Sequence, residues 1–194
     1  MKIEHDISLF YGKATTEPNS DADEGVSSWG NFEIQNINTT IYYRDFSEDG
    51  DLNNTEIGLM SLYKLHRQAD VFEILDSINC DSEEIAEAML SVNGFKTHPF
   101  VLNWFELKEE YRKQRLGHLV FHVGLQSSGC EGHPLFLLPS TNENHAGFEF
   151  LTQFYLDADM NTEVIEGTRI VYCPMYNNRN SVIRKRKKLK KECI

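Results

Sequence analysis

The chain has 194 residues, of which 40% are hydrophobic and 25% charged, with a formal net charge of −11. This composition is typical of a globular protein and fits one domain with appendages. No run of about 18 apolar residues and no signal-peptide core is present, so neither a membrane-spanning helix nor secretion is expected. The cysteines are widely spaced and form no CxxC pair, which favours a reduced, cytoplasmic protein: Cys80, Cys130, Cys173 and Cys193.

Residues 1–31 are predicted to form an N-terminal arm, with an acidic loop at 17–25 that contains Pro and Gly. Residues 34–43 alternate partly and are rich in Ile, Thr and Tyr, which favours a strand. A polar turn is expected at 45–54. A helix is expected after Asp81, because Asp81 and Glu84 resemble a capping box and an apolar stripe follows, Ile85, Ala86, Met89 and Leu90, before Gly94. Residues 67–75 are a further helix candidate.

The most informative segment is 107–119, LKEEYRKQRLGHL. An apolar run at 100–107 predicts a buried strand, and a helical pattern opens at Leu116–Gly117. The first N–H groups of a helix lack intrahelical partners and carry partial positive charge, so a strand, a basic turn and a helix start favour a phosphate or pyrophosphate. Arg112, Lys113 and Arg115 add three cations at this point. A solvated loop between core elements is the competing interpretation.

Downstream, residues 133–138 predict a second buried strand. Residues 142–160 predict a helix, with apolar side chains at helical spacing: Phe148, Leu151, Phe154 and Tyr155. Residues 162–172 predict a closing strand or hairpin. The apolar pattern ends beyond Pro174, which leaves 177–194 as a tail.

The turn at 111–117 resembles the acyl-CoA-binding turn of the GNAT N-acyltransferases, whose pattern is Arg or Gln, two residues, Gly, one residue, then Gly or Ala. Arg112 fills the first position and Gly117 the last, whereas Arg115 replaces the middle glycine. If Arg115 has a positive φ, it costs about 1–2 kcal/mol, which a guanidinium–phosphate contact could offset. Phe154–Tyr155 is similar to an aromatic pair that ends a late helix in this family.

The resemblance covers residues 32–176 and implies an α/β fold with a mixed, mostly antiparallel central sheet flanked by helices. Residues 56–62 are similar to the family's central strand. Two features depart from the pattern. Asp159–Met160 stands where Gly–Phe is usual, and the helical patterns precede the cofactor-turn strand instead of separating the first two strands.

The implied function is transfer of an acetyl group from acetyl-CoA to an amine, either polyamine-like or on a protein, by direct attack. Leu107 would offer backbone polar groups to the thioester and pantetheine. The pyrophosphate would lie on a contiguous set of residues: Arg112, Lys113, Gln114, Arg115, Leu116, Gly117 and the amide of His118. Asn142 and Asn144 would touch the cofactor.

The resemblance also implies an acid and a base. About one lysine-like amine in 10³ is neutral at pH 7, so a base must take its proton. Glu106 is the first candidate base, with His98 and Glu56 as alternates, and Tyr155 is the candidate acid for the leaving thiolate. The competing interpretations are a solvent-facing Glu106 and a Tyr155 that only packs.

His118 and His122 are four residues apart on a helix, a spacing that suits zinc, but two ordinary helix histidines are favoured and no metal is expected. Residues 184–191 hold seven of the nineteen Lys and Arg residues. Without residues 184–194 the body has 12 basic and 29 acidic residues, a net charge of −17. An acidic body favours a cationic amine. The tail is interpreted first as a solvated helix held loosely against the acidic body; the alternatives are a nucleic-acid contact, which only this tail could make, and a cover over the CoA phosphates or a partner surface.

A second class of function fits the same features. A non-catalytic GNAT-fold binding protein would act through its acidic face or basic tail. No membrane partner is expected, and the sequence leaves a homodimer open.

Overall fold

The computed structural model describes residues 9–18, 34–46, 52–66, 82–92, 94–139, 145–158 and 160–177. These residues contain seven strands: β1 Phe10–Pro18, β2 Gln35–Phe46, β3 Leu52–Lys64, β4 Phe100–Leu107, β5 Leu135–Leu137, β6 Glu163–Val164 and β7 Val171–Cys173. They also contain three α-helices: α1 Ser82–Ser91, α2 Gly117–Ser127 and α3 His145–Asp157. A 3-10 turn, Glu109–Tyr111, joins β4 to α2.

All seven strands belong to one sheet in the order β1-β2-β3-β4-β5-β7-β6. Neighbouring strands are antiparallel except β4 and β5, which run parallel. The predicted fold class, α/β with a mixed, mostly antiparallel sheet and flanking helices, is therefore confirmed at this level. Within the described residues, no helix is long and apolar enough to cross a membrane.

The sheet has an apolar core on each face, because its strands alternate between two buried sides. In β2, every second residue is buried on the side of the sheet that α2 covers: Ile37, Thr39, Ile41 and Tyr43. Helix α1 covers the opposite face farther along the sheet, where Ile85 and Met89 lie in one cluster with Val101, Phe136 and Tyr172. The faces are called here the α2 face and the α1 face.

Helix α2 approaches the sheet closely because glycines lie at the contact. A Cβ added at Gly12 would lie 2.5 Å from Ser127 Cβ, and one at Gly58 would lie 3.3 Å from Val120 Cγ1 of α2 and 2.8 Å from the carbonyl oxygen of Glu106 in β4. Gly124 of α2 itself faces Met60 and Ile41. Glycines on both partners thus let side chains of one element pack directly against the backbone of the other, which brings α2 close to the sheet.

The far end of α2 is fixed by a buried pair of hydroxyls. Ser128 Oγ donates to the carbonyl of Gly124 at 2.8 Å and lies 2.7 Å from Thr39 Oγ1. Because Ser128 has one proton to give, Thr39 donates to Ser128. The two buried polar groups therefore satisfy each other, as burial demands.

Helix α1 confirms the helix expected after Asp81, except that one residue of the predicted apolar stripe is exposed. Glu84 uses its carboxylate on Arg169, with Nη2 at 2.5 Å and Nε at 2.8 Å, besides a bond from the backbone N–H of Arg169. Burial opposes ionisation, but these bonds and the Arg169 charge outweigh it, so the pKa of Glu84 lies below its ordinary value. Leu90 is 55% exposed, whereas Ala88 is buried.

Most of the other predicted strands and helices are present in the structure. Strands at 34–43, 56–62, 100–107 and 133–138 are confirmed, as are the helices at 117 and 142–160 and a β6–β7 hairpin at 162–172. Residues 10–18, within the predicted arm, form the edge strand β1, and Glu17 and Pro18 pair with Asn36 and Gln35 where a loop was predicted. Residues 19–31, 67–75 and 178–194, with Asp81, lie outside the described part.

The two described cysteines carry free thiols. Cys130 and Cys173 are buried, and Cys173 Sγ lies 3.0 Å from the carbonyl oxygen of Met160. Burial raises the pKa of Cys130 well above its ordinary value and that of Cys173 to about 11. Both thiols therefore stay protonated at neutral pH and act as packing residues. Cys80 and Cys193 lie outside the described part.

The close approach of α2 makes a prediction about two glycines. Gly58→Ala should lower the free energy of unfolding by about 1–3 kcal/mol, because its Cβ meets a backbone oxygen that cannot turn away. Gly124→Ala is the matched control. Its Cβ meets the flexible end of Met60, and alanine favours the helix by about 1 kcal/mol, so the change should be under about 1 kcal/mol. Urea unfolding measures both; equal losses would contradict this picture.

Candidate anion-binding turn

The turn after β4 is folded back by local hydrogen bonds. The N–H of Tyr111 donates to the carbonyl of Lys108 at 3.0 Å, and the N–H of Arg112 donates to that of Glu109 at 3.1 Å. Tyr111 is 9% exposed and Leu116 fully buried, so an aromatic and an aliphatic side chain tie both ends of the turn to the core. The basic residues between them, Lys113 and Arg115, remain exposed.

The backbone of this turn adopts conformations that favour glycine. Lys113 has φ 62° and Arg115 φ 60°. The positive φ considered for Arg115 is therefore present, with a cost of about 1–2 kcal/mol. Leu116 follows with φ −87° and ψ −16°. A left-handed residue next to a right-handed one turns successive N–H groups toward the same side, an arrangement that forms anion-binding concavities.

Helix α2 begins without a side-chain cap. Leu116 occupies the N-cap position and offers no capping bond, and the first turn has no acidic residue. The first intrahelical bond runs from the N–H of Val120 to the carbonyl of Leu116 at 2.9 Å. The N–H groups of Gly117, His118 and Leu119 thus precede the helical ladder. Gly117 lies against the Phe154 ring, since an added Cβ would come within 3.0 Å of it.

The last part of β4 is paired on one side only. β5 pairs with Phe100–Leu102, while the remaining residues of β4 pair with β3 alone among the described strands. Pro134 and Pro139 flank β5 and donate no hydrogen bond, which limits its length. A bulge at Asn103 shifts the register, so that Phe105 packs on the α2 face and Glu106 lies on the α1 face.

Arg112 reaches back to the end of β4. Its Nε–H donates to the carbonyl of Leu107 at 2.7 Å, and its Nη2 lies 2.9 Å from Glu106 Oε1. The two side chains are 51% and 43% exposed. The structure thus joins three residues that the sequence assigned to one site. Gln114 closes the turn by donating to the carbonyl of Glu110 at 2.8 Å.

Lys108 is a neighbour of this site that the sequence did not single out. Its Nζ lies 3.0 Å from Glu56 Oε1, and the hydrogen bond to Glu56 raises the pKa of Lys108 above its ordinary value. Its N–H donates to the carbonyl of Ile57 in β3 at 2.9 Å. Glu56 therefore lies beside the turn, as an alternate base should, but in an ion pair. The only sequence signal was a lysine directly after a strand.

Tyr155 lies in the core between α2 and α3. It is 6% exposed and its ring centre is 5.6 Å from that of Phe121. Burial raises the pKa of Tyr155 to about 12, so its hydroxyl keeps the proton at neutral pH. Phe121 also contacts Phe105, which places Tyr155 on the α2 face. Glu106 is on the α1 face, so the two candidate catalytic residues lie on opposite sides of β4.

His98 lies at the other end of β4. Its Nδ1 is 3.3 Å from the carbonyl of Leu65, and its ring is 5.0 Å from His66 and 6.5 Å from His133. Since β4 rises about 3.3 Å per residue, Phe100 and Leu107 are about 23 Å apart. His98 therefore lies remote from the turn and belongs to a separate histidine cluster.

His118 and His122 join α2 to α3. His118 Nε2 lies 3.0 Å from the carbonyl of Phe154, and His122 Nε2 lies 2.7 Å from that of Ala158. Carbonyls only accept, so both Nε2 atoms carry protons and bond to the last turn of α3, where helix carbonyls lack partners. The four-residue spacing thus serves helix docking. Across the described residues, no group of three metal-ligating side chains occurs.

The remaining site candidates, Asn142 and Asn144, lie outside the described residues.

No family model, curated protein or solved structure matches the chain. What the fold defines is the broad class: an α/β protein built on a seven-stranded, mostly antiparallel sheet, with an uncapped helix start behind a basic turn.

The strained backbone at Arg115 makes a prediction. Arg115→Gly should raise the free energy of unfolding by about 1 kcal/mol, because glycine adopts φ 60° without a Cβ clash. Arg115→Ala is the matched control, since it removes the same charge and stem but keeps Cβ. Thermal unfolding of the two variants separates the effect of backbone strain from the effect of losing the arginine side chain. Equal stabilities of Arg115→Gly and Arg115→Ala would contradict the assignment of strain.

The histidine cluster makes a prediction about pH. Burial, with Lys64 and His98 nearby, lowers the pKa of His133 below its ordinary value of about 6.5 despite its hydrogen bond to His98. The unfolded chain therefore takes up this proton first as pH falls. Stability from His133 should be complete above about pH 6.5 and decrease as the pH falls toward the lowered pKa. Urea unfolding between pH 7.5 and 5 should show a smaller pH slope for His133→Gln; an unchanged slope would contradict this assignment.

Proposed function

We propose that the protein binds acetyl-CoA at the turn between β4 and α2 and transfers the acetyl group to an amine. One observation carries the proposal. The uncapped start of α2 follows a turn with two left-handed residues and three cationic side chains. A helix dipole, unpaired N–H groups and guanidinium groups all favour a pyrophosphate at the same position.

The strand edge beside the turn supports the same proposal. Past Leu102, β4 has no partner on the β5 side among the described strands. An extended chain with amide groups, such as pantetheine, could pair with this edge as a further strand would. Leu107 lies at its end, where its carbonyl now accepts from Arg112. The thioester would then lie close to Glu106, the next residue back along β4.

Tyr155 and Glu106 differ in how well their surroundings suit the roles of acid and base. Tyr155 holds its proton at neutral pH, but burial raises its pKa to about 12, which is well above the operating pH at which an acid transfers a proton most efficiently. Glu106 is 43% exposed, which leaves its carboxylate open to an approaching amine once Arg112 is displaced. Since the two lie on opposite sides of β4, they would reach one substrate only through the gap between β4 and β5.

The ion pairs near the turn support a second candidate function. The two candidate bases near the turn are held in ion pairs, Glu106 with Arg112 and Glu56 with Lys108. Because neither carboxylate is free to accept a proton in this arrangement, the alternative is a GNAT-like module that binds acyl-CoA without turnover. Binding with no transfer to any amine would favour it.

The test is calorimetric titration with acetyl-CoA. Lys113→Glu/Arg115→Glu should weaken binding at least tenfold, because two cations at the pyrophosphate become anions while the exposed backbone is kept. Lys96→Glu is the matched control, an exposed lysine before β4 at the other end of the strand, and should change affinity less than twofold.

Turnover is then measured against a set of primary amines. Glu106→Gln and Tyr155→Phe should each lower kcat by about 10²-fold or more, the usual contribution of an acid or base, with acetyl-CoA still bound. Absence of binding at millimolar acetyl-CoA would overturn the proposed function.

A further inference from the structure

Arg112 contacts the end of β4 instead of the open side of the turn. Its Nε–H and Nη2–H groups bond to the Leu107 carbonyl and the Glu106 carboxylate at 2.7 and 2.9 Å. These are the two strand groups that acyl transfer would use, the backbone acceptor and the base. One guanidinium therefore occupies both groups.

The same side chain lies within reach of the proposed pyrophosphate. Arg112 directly precedes the left-handed Lys113, and its own backbone is extended, with φ −65° and ψ 159°. Rotation about its side-chain bonds can move the guanidinium without moving the backbone. Both members of the ion pair are about half exposed, and pairs of this kind hold weakly. A dianionic phosphate group can compete for such a guanidinium.

We propose that Arg112 is a switch that couples anion binding at the turn to the release of Glu106 and Leu107. In the arrangement seen, the guanidinium holds both groups. With a pyrophosphate bound, it turns to the phosphate, and Glu106 Oε1 becomes able to accept a proton from an amine while the Leu107 carbonyl becomes able to pair with the ligand. This inference rests on the proposed function and makes the base available only when the cofactor is present.

Because binding free energies are coupled reciprocally, the switch predicts the direction in which a substitution of Glu106 changes the affinity for an anion. If an anion draws Arg112 away from Glu106, then Glu106 competes with the anion for Arg112. Glu106→Gln should therefore tighten anion binding, by about three- to fivefold, the range expected for an exposed ion pair. Loss of any nearby negative charge would also tighten binding through space. Glu110→Gln measures that general effect, because Glu110 is an exposed carboxylate on the same turn that makes no ion pair with Arg112.

The experiment titrates inorganic pyrophosphate into the wild type, Glu106→Gln and Glu110→Gln, each also in an Arg112→Gln background. Nitrogen NMR of the Arg112 Nε–H follows the guanidinium, and thermal unfolding checks that every variant folds. The expected result is a gain from Glu106→Gln beyond that of Glu110→Gln, lost in the Arg112→Gln background, with a pyrophosphate-dependent shift of the Nε–H signal.

Two other outcomes overturn the switch and are distinguishable. If pyrophosphate binds but the two glutamate variants gain equally, or the gain persists without Arg112, the switch is wrong and the proposed function stands. If neither pyrophosphate nor acetyl-CoA binds at millimolar concentration, no anion can drive the switch, and the proposed function fails with it.

Discussion

The close packing of α2 on the sheet is the constraint on which the rest of the structure depends. Gly58 lies under Val120 in the first turn of α2 and Gly12 lies under Ser127 at its end, so no side chain at either position holds the helix away from the sheet. Because the helix is fixed against β1, β2 and β3, its start must lie beside the end of β4. The basic turn then has to close a short gap, and it does so with two residues in left-handed conformations.

Two histidines and one tyrosine attach the C-terminal elements to α2. His118 and His122 on α2 donate to backbone carbonyls at the end of α3, and the hydroxyl of Tyr176 lies 3.1 Å from His122 Nδ1. Residues after β7 are thus tied to the same helix that forms the candidate site. A spacing typical of a metal pair serves here to hold two helices and a strand end together, since each imidazole is engaged by a backbone carbonyl.

The candidate site combines a fixed part and an adjustable part. The start of α2 and the backbone at Lys113–Leu116 are fixed by buried neighbours at both ends, Tyr111 and Leu116. The ion pairs around them, Arg112 with Glu106 and Lys108 with Glu56, are about half exposed and therefore exchangeable at little cost. Preformed N–H groups suit recognition of an anion, whereas exchangeable side chains suit a response to it.

The sequence by itself determined the local elements: alternation gave β2, apolar periodicity gave α2 and α3, and the 100–107 run gave β4, because these patterns act within one segment. It also located the basic turn and raised the question of φ at Arg115. Only the tertiary structure decided that residues 10–18 join the sheet, that a bulge at Asn103 places Glu106 and Tyr155 on opposite sides of β4, and that Arg112 binds Glu106. These outcomes depend on contacts between distant segments and on register, where a one-residue shift exchanges the two faces of a strand.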